Sequence, residues 1–393
     1  MIYFLQLLKT YNNNMTKNIK RVAIIAGEAS GDKIGADLIK KLSLDYQIDI
    51  FGIGGEELSN LGLKSLFPYE DLSLIGPWAI LKNIRKLSKK LKFTIKSIIS
   101  FEPDILIIID SPEFTHRVAK NIKKHLPSVP IINYVPPLVW VWRSYRARFM
   151  RKYINHILSI YPFEPAIYRE LDGPPSLYVG NTLFNSILEK ENLKSSNNSK
   201  NKIILFMPGS RASEIDKLLT PSIESFNYLA SIGQKFKIKI PTFEKYKNKI
   251  EMAFSKCNFD VDIVIAEEEK IKCFYSADVA LVASGSATLE LSAAKVPMVV
   301  IYKLNILNSI FAFLLNLNNQ FISLPNLILK QNLVPEFVQK DCNGKNISKN
   351  ILDLLNKEAK RKHQIDGFNE IHKIMKKSVD VKKLEDLFKN YLS

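Results

Sequence analysis

The chain has 393 residues, 46% of them hydrophobic and 24% charged, which excludes a disordered or fibrous protein and leaves room for two domains. Its formal charge of +17 points to an anionic partner (nucleic acid, acidic membrane or phosphorylated substrate) unless the excess is only the background of a Lys-, Ile- and Asn-rich composition. Cys257, Cys273 and Cys342 form no C-x-x-C pair, so they fit a reducing cytoplasm better than a disulfide framework or a zinc site.

Residues 1–20 read as an extension of little structural content. The run Met1–Leu8 is too short to span a bilayer, and it has neither the basic start nor the cleavage site of a signal peptide. The first buried-strand pattern is Arg21–Ile25. It runs into Ala26-Gly27-Glu28-Ala29-Ser30-Gly31-Asp32 and the amphipathic stretch Ile34–Leu42. Glu28, Ser30 and Gly31 are candidate ligand contacts, because glycine lets backbone approach closely. An ordinary turn, with Ser30 or Asp32 capping the helix, reads the same pattern. The segment is not G-x-G-x-x-G, so a dinucleotide site is unsupported.

Leu74, Ile75, Trp78, Ile80 and Leu81 form an apolar patch ahead of Lys82, Arg85, Lys86, Lys89, Lys90 and Lys92. That pairing suits a peripheral contact with anionic lipid, or else core residues beside a solvated lysine face. The strand Ile105–Ile109 then ends in Asp110-Ser111-Pro112-Glu113. Ligands meet open α/β sheets at the carboxyl ends of strands, so Asp110 is a candidate general base, or else a turn cap. His116 is a second base candidate, set further along the following helix. After the strand Ile131–Tyr134, Trp140, Trp142 and Arg143 can clamp a sugar or phosphate, or can pack in a core.

The polar segment Leu193–Asn201 reads as a linker. Beyond it, the strand Ile203–Met207 enters Pro208-Gly209-Ser210-Arg211, a strand, glycine turn and arginine suited to phosphate. Strands follow at Phe236–Ile240 and Asp262–Ile265. The D-x-D Asp260-Val261-Asp262 sits before a strand rather than at its carboxyl end and is rejected as a metal site. Val279–Ala283 leads into Ser284-Gly285-Ser286-Ala287-Thr288-Leu289-Glu290, which offers N–H and O–H donors to an anion and a carboxylate to a ribose, or makes a well-capped helix. A strand at Met298–Tyr302 precedes Leu304–Leu317, whose asparagines mark a buried or interfacial helix rather than a membrane span. The Lys-rich stretch from Asn356 is helical. The alternation of strands and helices predicts two Rossmann-like domains with doubly wound parallel sheets, facing a cleft.

Taken in order, AGEASGDKIGADLI, FGIGGEEL, PDILIIIDSPEF, YVPPLVWVWR, PFEPAIY, MPGSRASEI, ASGSATLE, PMVVIYK and VPEFVQ resemble the lipid-A-disaccharide synthases over most of the chain. The resemblance implies an α/β GT-B fold. A lipid acceptor domain would span residues 21–190 and a UDP-sugar domain 202–355, with the helices of 356–393 able to pack back on the first domain. It implies transfer of 2,3-diacylglucosamine from UDP to 2,3-diacylglucosamine 1-phosphate (lipid X), giving the disaccharide 1-phosphate and UDP. The displacement would be inverting and metal-independent and would need no cofactor. Asp110 would be the base and Arg211 the diphosphate clamp. Gly209, Ser210, Ser284, Gly285, Ser286, Thr288 and Glu290 would complete the UDP site. The setting would be peripheral, on the cytoplasmic face of the inner membrane, with a homodimer allowed and no nucleic acid.

The chain departs from the family's usual V-G-H-P-L at Val179-Gly180-Asn181-Thr182-Leu183 and from M-G-x-x-E at Ile75-Gly76-Pro77-Trp78-Ala79. It departs from Y-V-S-P at Tyr134-Val135-Pro136-Pro137 and from D-F-N at Glu113-Phe114-Thr115. Two alternatives stand beside this reading: another GT-B enzyme such as a UDP-sugar epimerase, and a catalytically degenerate paralogue. A nucleic-acid-binding protein has only the charge in its favour and no recognition motif.

Overall fold

The computed structural model describes residues 19–72, 84–140, 143–191, 201–303, 321–376 and 379–392. It divides into two compact units, Met1–Gly180 with Lys377–Ser393, and Asn181–Lys376. In the first unit β1 (Ile19–Ala26), β2 (Gln47–Ile53), β3 (Ile105–Ile109), β4 (Ile131–Tyr134), β5 (His156–Ser159) and β6 (Ser176–Tyr178) lie in the order β2-β1-β3-β4-β5-β6. All five pairings are parallel.

The period of two along these strands sorts their side chains onto opposite faces. Ala23, Ile25, Leu106 and Ile108 join one core, beneath Phe114, Val118 and Ile122 of the helix Pro112–His125. Val22, Ile24, Ile105, Ile107 and Ile109 join the other, beneath Ile34, Leu38 and Ile39 of the helix Ala29–Leu42. Because both faces are covered, β3 is apolar at every position, ILIII.

In the second unit β7 (Lys202–Met207), β8 (Phe236–Pro241), β9 (Asp260–Val264), β10 (Val279–Ala283), β11 (Met298–Tyr302) and β12 (Glu336–Val338) lie in the order β12-β11-β10-β7-β8-β9. Its pairings are parallel too. Each sheet therefore winds outward in two directions from a central pair, β1 and β3 in the first and β7 and β10 in the second. The chain changes direction at these pairs, and in doubly wound sheets ligands bind at such a reversal.

Several boundaries differ from the sequence expectation. β1 begins at Ile19, inside the expected extension; residues 1–18 lie outside the described residues. The units divide at Gly180–Asn181, and the helix Thr182–Leu188 belongs to the second, where Asn181 caps it by accepting the Phe184 N–H at 2.9 Å. This capping Asn181 is one of the positions at which the chain departs from the pattern it resembles. The helix Glu358–Met375 also stays with the second unit, anchored by Gln364, which accepts the Met298 N–H (2.8 Å) and donates to the Met298 carbonyl (3.1 Å). Only the last helix, Val381–Leu392, packs on the first unit, burying Phe388 and Leu392 among the strand residues of the second core. Asp260 and Asp262 lie within β9 rather than before it, and Asp262 faces Lys237 at 3.5 Å.

The expected membrane patch at Leu74–Leu81, Trp142, residues 193–200 of the expected linker, and Leu304–Leu317 lie outside the described residues. Among the described residues no helix is long and apolar enough to cross a membrane.

Candidate functional site

In the first unit the loops after β1 and β3 leave the central strand pair together. Gly27 donates its N–H to the Ile109 carbonyl at 3.2 Å, and a Cβ on Gly27 would lie 2.1 Å from the Ser111 hydroxyl, so only glycine fits there. The helix Ala29–Leu42 starts at once, with Glu28 at its N-cap and Ser30 and Gly31 in its first turn. A Cβ on Gly31 would stand 3.4 Å from Asp110 Oδ2. The structure thus brings Gly31 to Asp110, both at the carboxyl edge of the sheet.

Asp110 and Ser111 hold left-handed backbone, at φ 55° and 45°, and so does Val135 at the end of β4, at 55°. Such residues cost about 1–3 kcal/mol each and gather at functional sites. For the β-branched Val135 the conformation is a true outlier. The Thr115 hydroxyl donates to the Asp110 carbonyl at 2.8 Å and holds the turn in place. Asp32 does not cap its own helix. Buried, it accepts the N–H groups of Gly55 (2.7 Å), Glu57 (2.9 Å) and Leu58 (3.3 Å), and so fixes the loop after β2.

Trp140 donates from Nε1 to Glu164 Oε1 at 3.2 Å, and its ring meets Tyr161 and Phe163 edge-on. Glu164 is fully buried and also accepts the Tyr161 N–H at 3.3 Å. Burial pushes its carboxyl up from 4.5 to about 8, against the pull of these hydrogen bonds. Tyr161 is pushed upward by burial and then by the charges of Glu164 and Asp110. The sequence reading met Glu164 only within the PFEPAIY stretch and gave neither it nor Tyr161 a role.

A stability profile tests this burial. The folded chain keeps the Glu164 proton up to about pH 8, whereas the unfolded chain releases it near 4.5, so stability is lost as pH rises across that range. His116, lowered from 6.5 to about 4 by burial, acts in the opposite sense but only below its ordinary value. From pH 6.5 to 8 the Tm of the native chain should therefore fall, and that of Glu164→Gln should change less. Equal slopes in the two proteins would remove Glu164 as the cause.

One helical turn past Asp110, Glu113 pairs with Arg146 and, at 3.4 Å, with Arg143. Burial tends to raise its carboxyl, but the Arg146 hydrogen bond and the nearby guanidinium charges outweigh it and hold the group below its usual range. Arg143, called as a ligand clamp, is thus engaged with Glu113. His116 accepts or donates at Nδ1 with the Tyr153 hydroxyl, 3.0 Å away, while its Nε2 is buried and makes no hydrogen bond among the described residues. It lies on the helix, as expected, and not in the Asp110 turn.

In the second unit β7 and β10 are neighbours, so the Gly209–Arg211 and Ser284–Ser286 turns leave the sheet side by side. Gly209 sits at φ 109°, where a Cβ would strike Glu214 Oε2 at 2.6 Å. Glu214, nearly buried, accepts from Arg211 Nη1 at 2.7 Å and aims the guanidinium from the start of the helix Ala212–Ser231. Ser210 is exposed beside it.

Gly285 and Ser286 are exposed, and among the described residues a Cβ on Gly285 would meet nothing within 4 Å at the start of the helix Ser286–Ala293. The hydroxyls of Ser284 and Thr288 face inward. Ser284 donates to the Ile322 carbonyl at 2.6 Å, and Thr288 donates to Gly285 O at 2.8 Å and accepts the Leu324 N–H at 3.3 Å. They brace the turn instead of presenting donors at its tip. Glu290 lies one turn in and pairs with Lys270 at 2.9 Å. Glu214 and Lys270 are partners that sequence spacing did not reveal.

The model of the family described as lipid-A-disaccharide synthetase matches residues 22–387. The lipid-A-disaccharide synthase of Nitrobacter hamburgensis is 36% identical over 361 residues, covering 91% of this chain and 91% of that one. The Francisella tularensis enzyme of the same name is 34% identical over 374 residues, covering 90% and 95%. Among solved structures, the UDP-GlcNAc 2-epimerase of Neisseria meningitidis bound to UDP-GlcNAc superposes with a TM-score of 0.56 at 13% identity, covering 90% of this chain and 98% of that one. The Methanocaldococcus jannaschii UDP-GlcNAc 2-epimerase gives 0.54 at 14% identity, covering 91% and 99%. At such identities the superpositions establish the GT-B fold alone. The length and identity of the family matches carry the assignment: the chain belongs to the lipid-A-disaccharide synthetase family of UDP-sugar-dependent glycosyltransferases.

Proposed function

We propose that the chain transfers 2,3-diacylglucosamine from UDP to a hydroxyl of 2,3-diacylglucosamine 1-phosphate in one inverting displacement. The observation that carries this reading is the pair of loops at each sheet's reversal point, Gly27–Gly31 with Asp110 in the first unit and Gly209–Arg211 with Ser284–Glu290 in the second. The second unit would hold UDP, with Arg211 and the N–H groups opening the helix Ser286–Ala293 facing the diphosphate and Glu290 the ribose. As the glycosidic bond breaks, charge grows on the leaving diphosphate, where Arg211 and the helix N-terminus stabilise it without a metal ion. Asp110 would take the proton of the acceptor hydroxyl in the first unit.

A peripheral lipid contact on the cytoplasmic side completes the proposal. It is supported by the helix Ile84–Phe101, which exposes Arg85, Lys86, Lys89, Lys92 and Lys96 together with Phe93.

Purified protein given UDP-2,3-diacylglucosamine and lipid X is expected to form the disaccharide 1-phosphate and UDP, with the anomeric configuration inverted. A retained configuration would overturn the single displacement. Conversion of the donor sugar with no acceptor present would mark an epimerase instead.

A further inference from the structure

The first unit carries an open cavity of about 220 Å³ between the helix Pro112–His125 and the segment Tyr145–Tyr153. Sites that take a whole ligand are usually about 300–1,000 Å³, so this one suits part of a molecule. Its lining has two kinds of chemistry. Arg117, Lys120 and Arg146 supply positive charge, while Pro137, Phe149 and Met150 supply apolar surface. Neither Arg117 nor Lys120 makes an ion pair among the described residues. Glu113, the cavity's one carboxylate, is held by Arg146 and Arg143. Tyr145 and Phe149 stand exposed at 60% and 53%, edge to face, an aromatic pair left in solvent beside a cationic rim.

We infer that this cavity binds the phosphate of an acylated sugar phosphate, with Arg117 and Lys120 on the phosphate and Phe149 and Met150 under the start of an acyl chain. The inference rests on the acceptor reading of the first unit and adds a subsite to it. The charge balance favours a monoester over a membrane phosphodiester, because a monoester carries about −1.5 to −2 at neutral pH and can satisfy two cations that no carboxylate among the described residues pairs, Arg117 and Lys120, the latter lying 5.3 Å over the Tyr153 ring. Glu113 adds an acceptor for a sugar hydroxyl, which neither free phosphate nor a fatty acid would use. His116 is consistent with this division of labour: buried against Tyr153, it leaves the positive charge to the rim.

The test uses the full chain and the double variant Arg117→Ala with Lys120→Ala; both side chains are exposed, so the fold should be kept. With lipid X as acceptor, KM is expected to rise about ten- to a hundredfold, with kcat within about twofold and the KM for the UDP-sugar unchanged. With lipid X stripped of its 1-phosphate, native and variant proteins should be equally poor. Calorimetry with lipid X in detergent micelles should show the same loss of affinity without turnover, and phosphatidylglycerol vesicles or inorganic phosphate should compete weakly. An unchanged KM and affinity in the variant overturns the subsite, as does phosphatidylglycerol competing as well as lipid X. If the native chain binds lipid X through these residues yet forms no disaccharide, the subsite stands and the transfer reading falls.

Discussion

Asp110→Asn is expected to lower turnover by about 10²–10⁴, the usual cost of removing a positioned base, with UDP affinity and Tm nearly unchanged. The substitution is well suited to its site. Asp110 holds φ 55°, and asparagine is among the few residues that tolerate left-handed backbone, so the strained turn survives the change. The Thr115 hydroxyl binds the main-chain carbonyl of Asp110, which the variant keeps. What is lost is the proton-accepting carboxylate. Rates measured with saturating donor, beside thermal unfolding, decide the matter. Near-normal turnover in Asp110→Asn with collapse in Glu113→Gln would move the base one turn along the helix. Unfolding of Asp110→Asn would make the carboxylate a structural cap.

Arg211→Ala and Glu290→Ala should each weaken UDP binding by about 1.5–3 kcal/mol, roughly ten- to a hundredfold in Kd, because each removes a charge-assisted contact. The pairings in the second unit sharpen the expectation. Arg211 is aimed by Glu214 at 2.7 Å and Glu290 is held by Lys270 at 2.9 Å, so both are set before ligand arrives and little ordering is left for binding to supply. Glu290→Gln separates the ribose contact from the loss of Lys270's partner: it keeps a polar group for the ribose and removes the ion pair. Calorimetry with UDP reads all three variants, and unchanged affinity in folded Arg211→Ala and Glu290→Ala would sink the donor assignment.

The parts of the fold legible in the sequence were those in which one physical demand dominated. β3, β10 and β11 are central strands buried on both faces and written as apolar runs, and β4 and β7 are apolar apart from Asn133 and the exposed first residue Lys202. β2 escaped because its first half is half-exposed and alternates, Q-I-D-I, while β6 and β12 are three residues long and β12 begins with Glu336. The meeting of Gly31 and Asp110 was legible in outline, since both follow strands that the doubly wound rule sends to one edge. The Trp140–Glu164 bond was not, because its partners are 24 residues apart and on different elements. Nor was the inward turn of Ser284 and Thr288. A hydroxyl in a loop reads the same in sequence whether it faces a ligand or the Ile322 carbonyl.

The placement of the last helix has a consequence for synthesis. A ribosome delivers Ile19–Tyr178 first, and domains generally fold in the order they emerge. Yet the core on one face of the first sheet lacks Phe388 and Leu392 until Val381–Leu392 is made, and His156 lacks the Tyr391 hydroxyl it meets at 3.3 Å until the same helix arrives. Asn181–Lys376 is continuous and carries no such debt to later residues. The unit translated first is therefore the one completed last. A nascent chain stalled before Val381 would expose an apolar strip on its oldest half, a surface for chaperones to hold until the final turns of helix arrive.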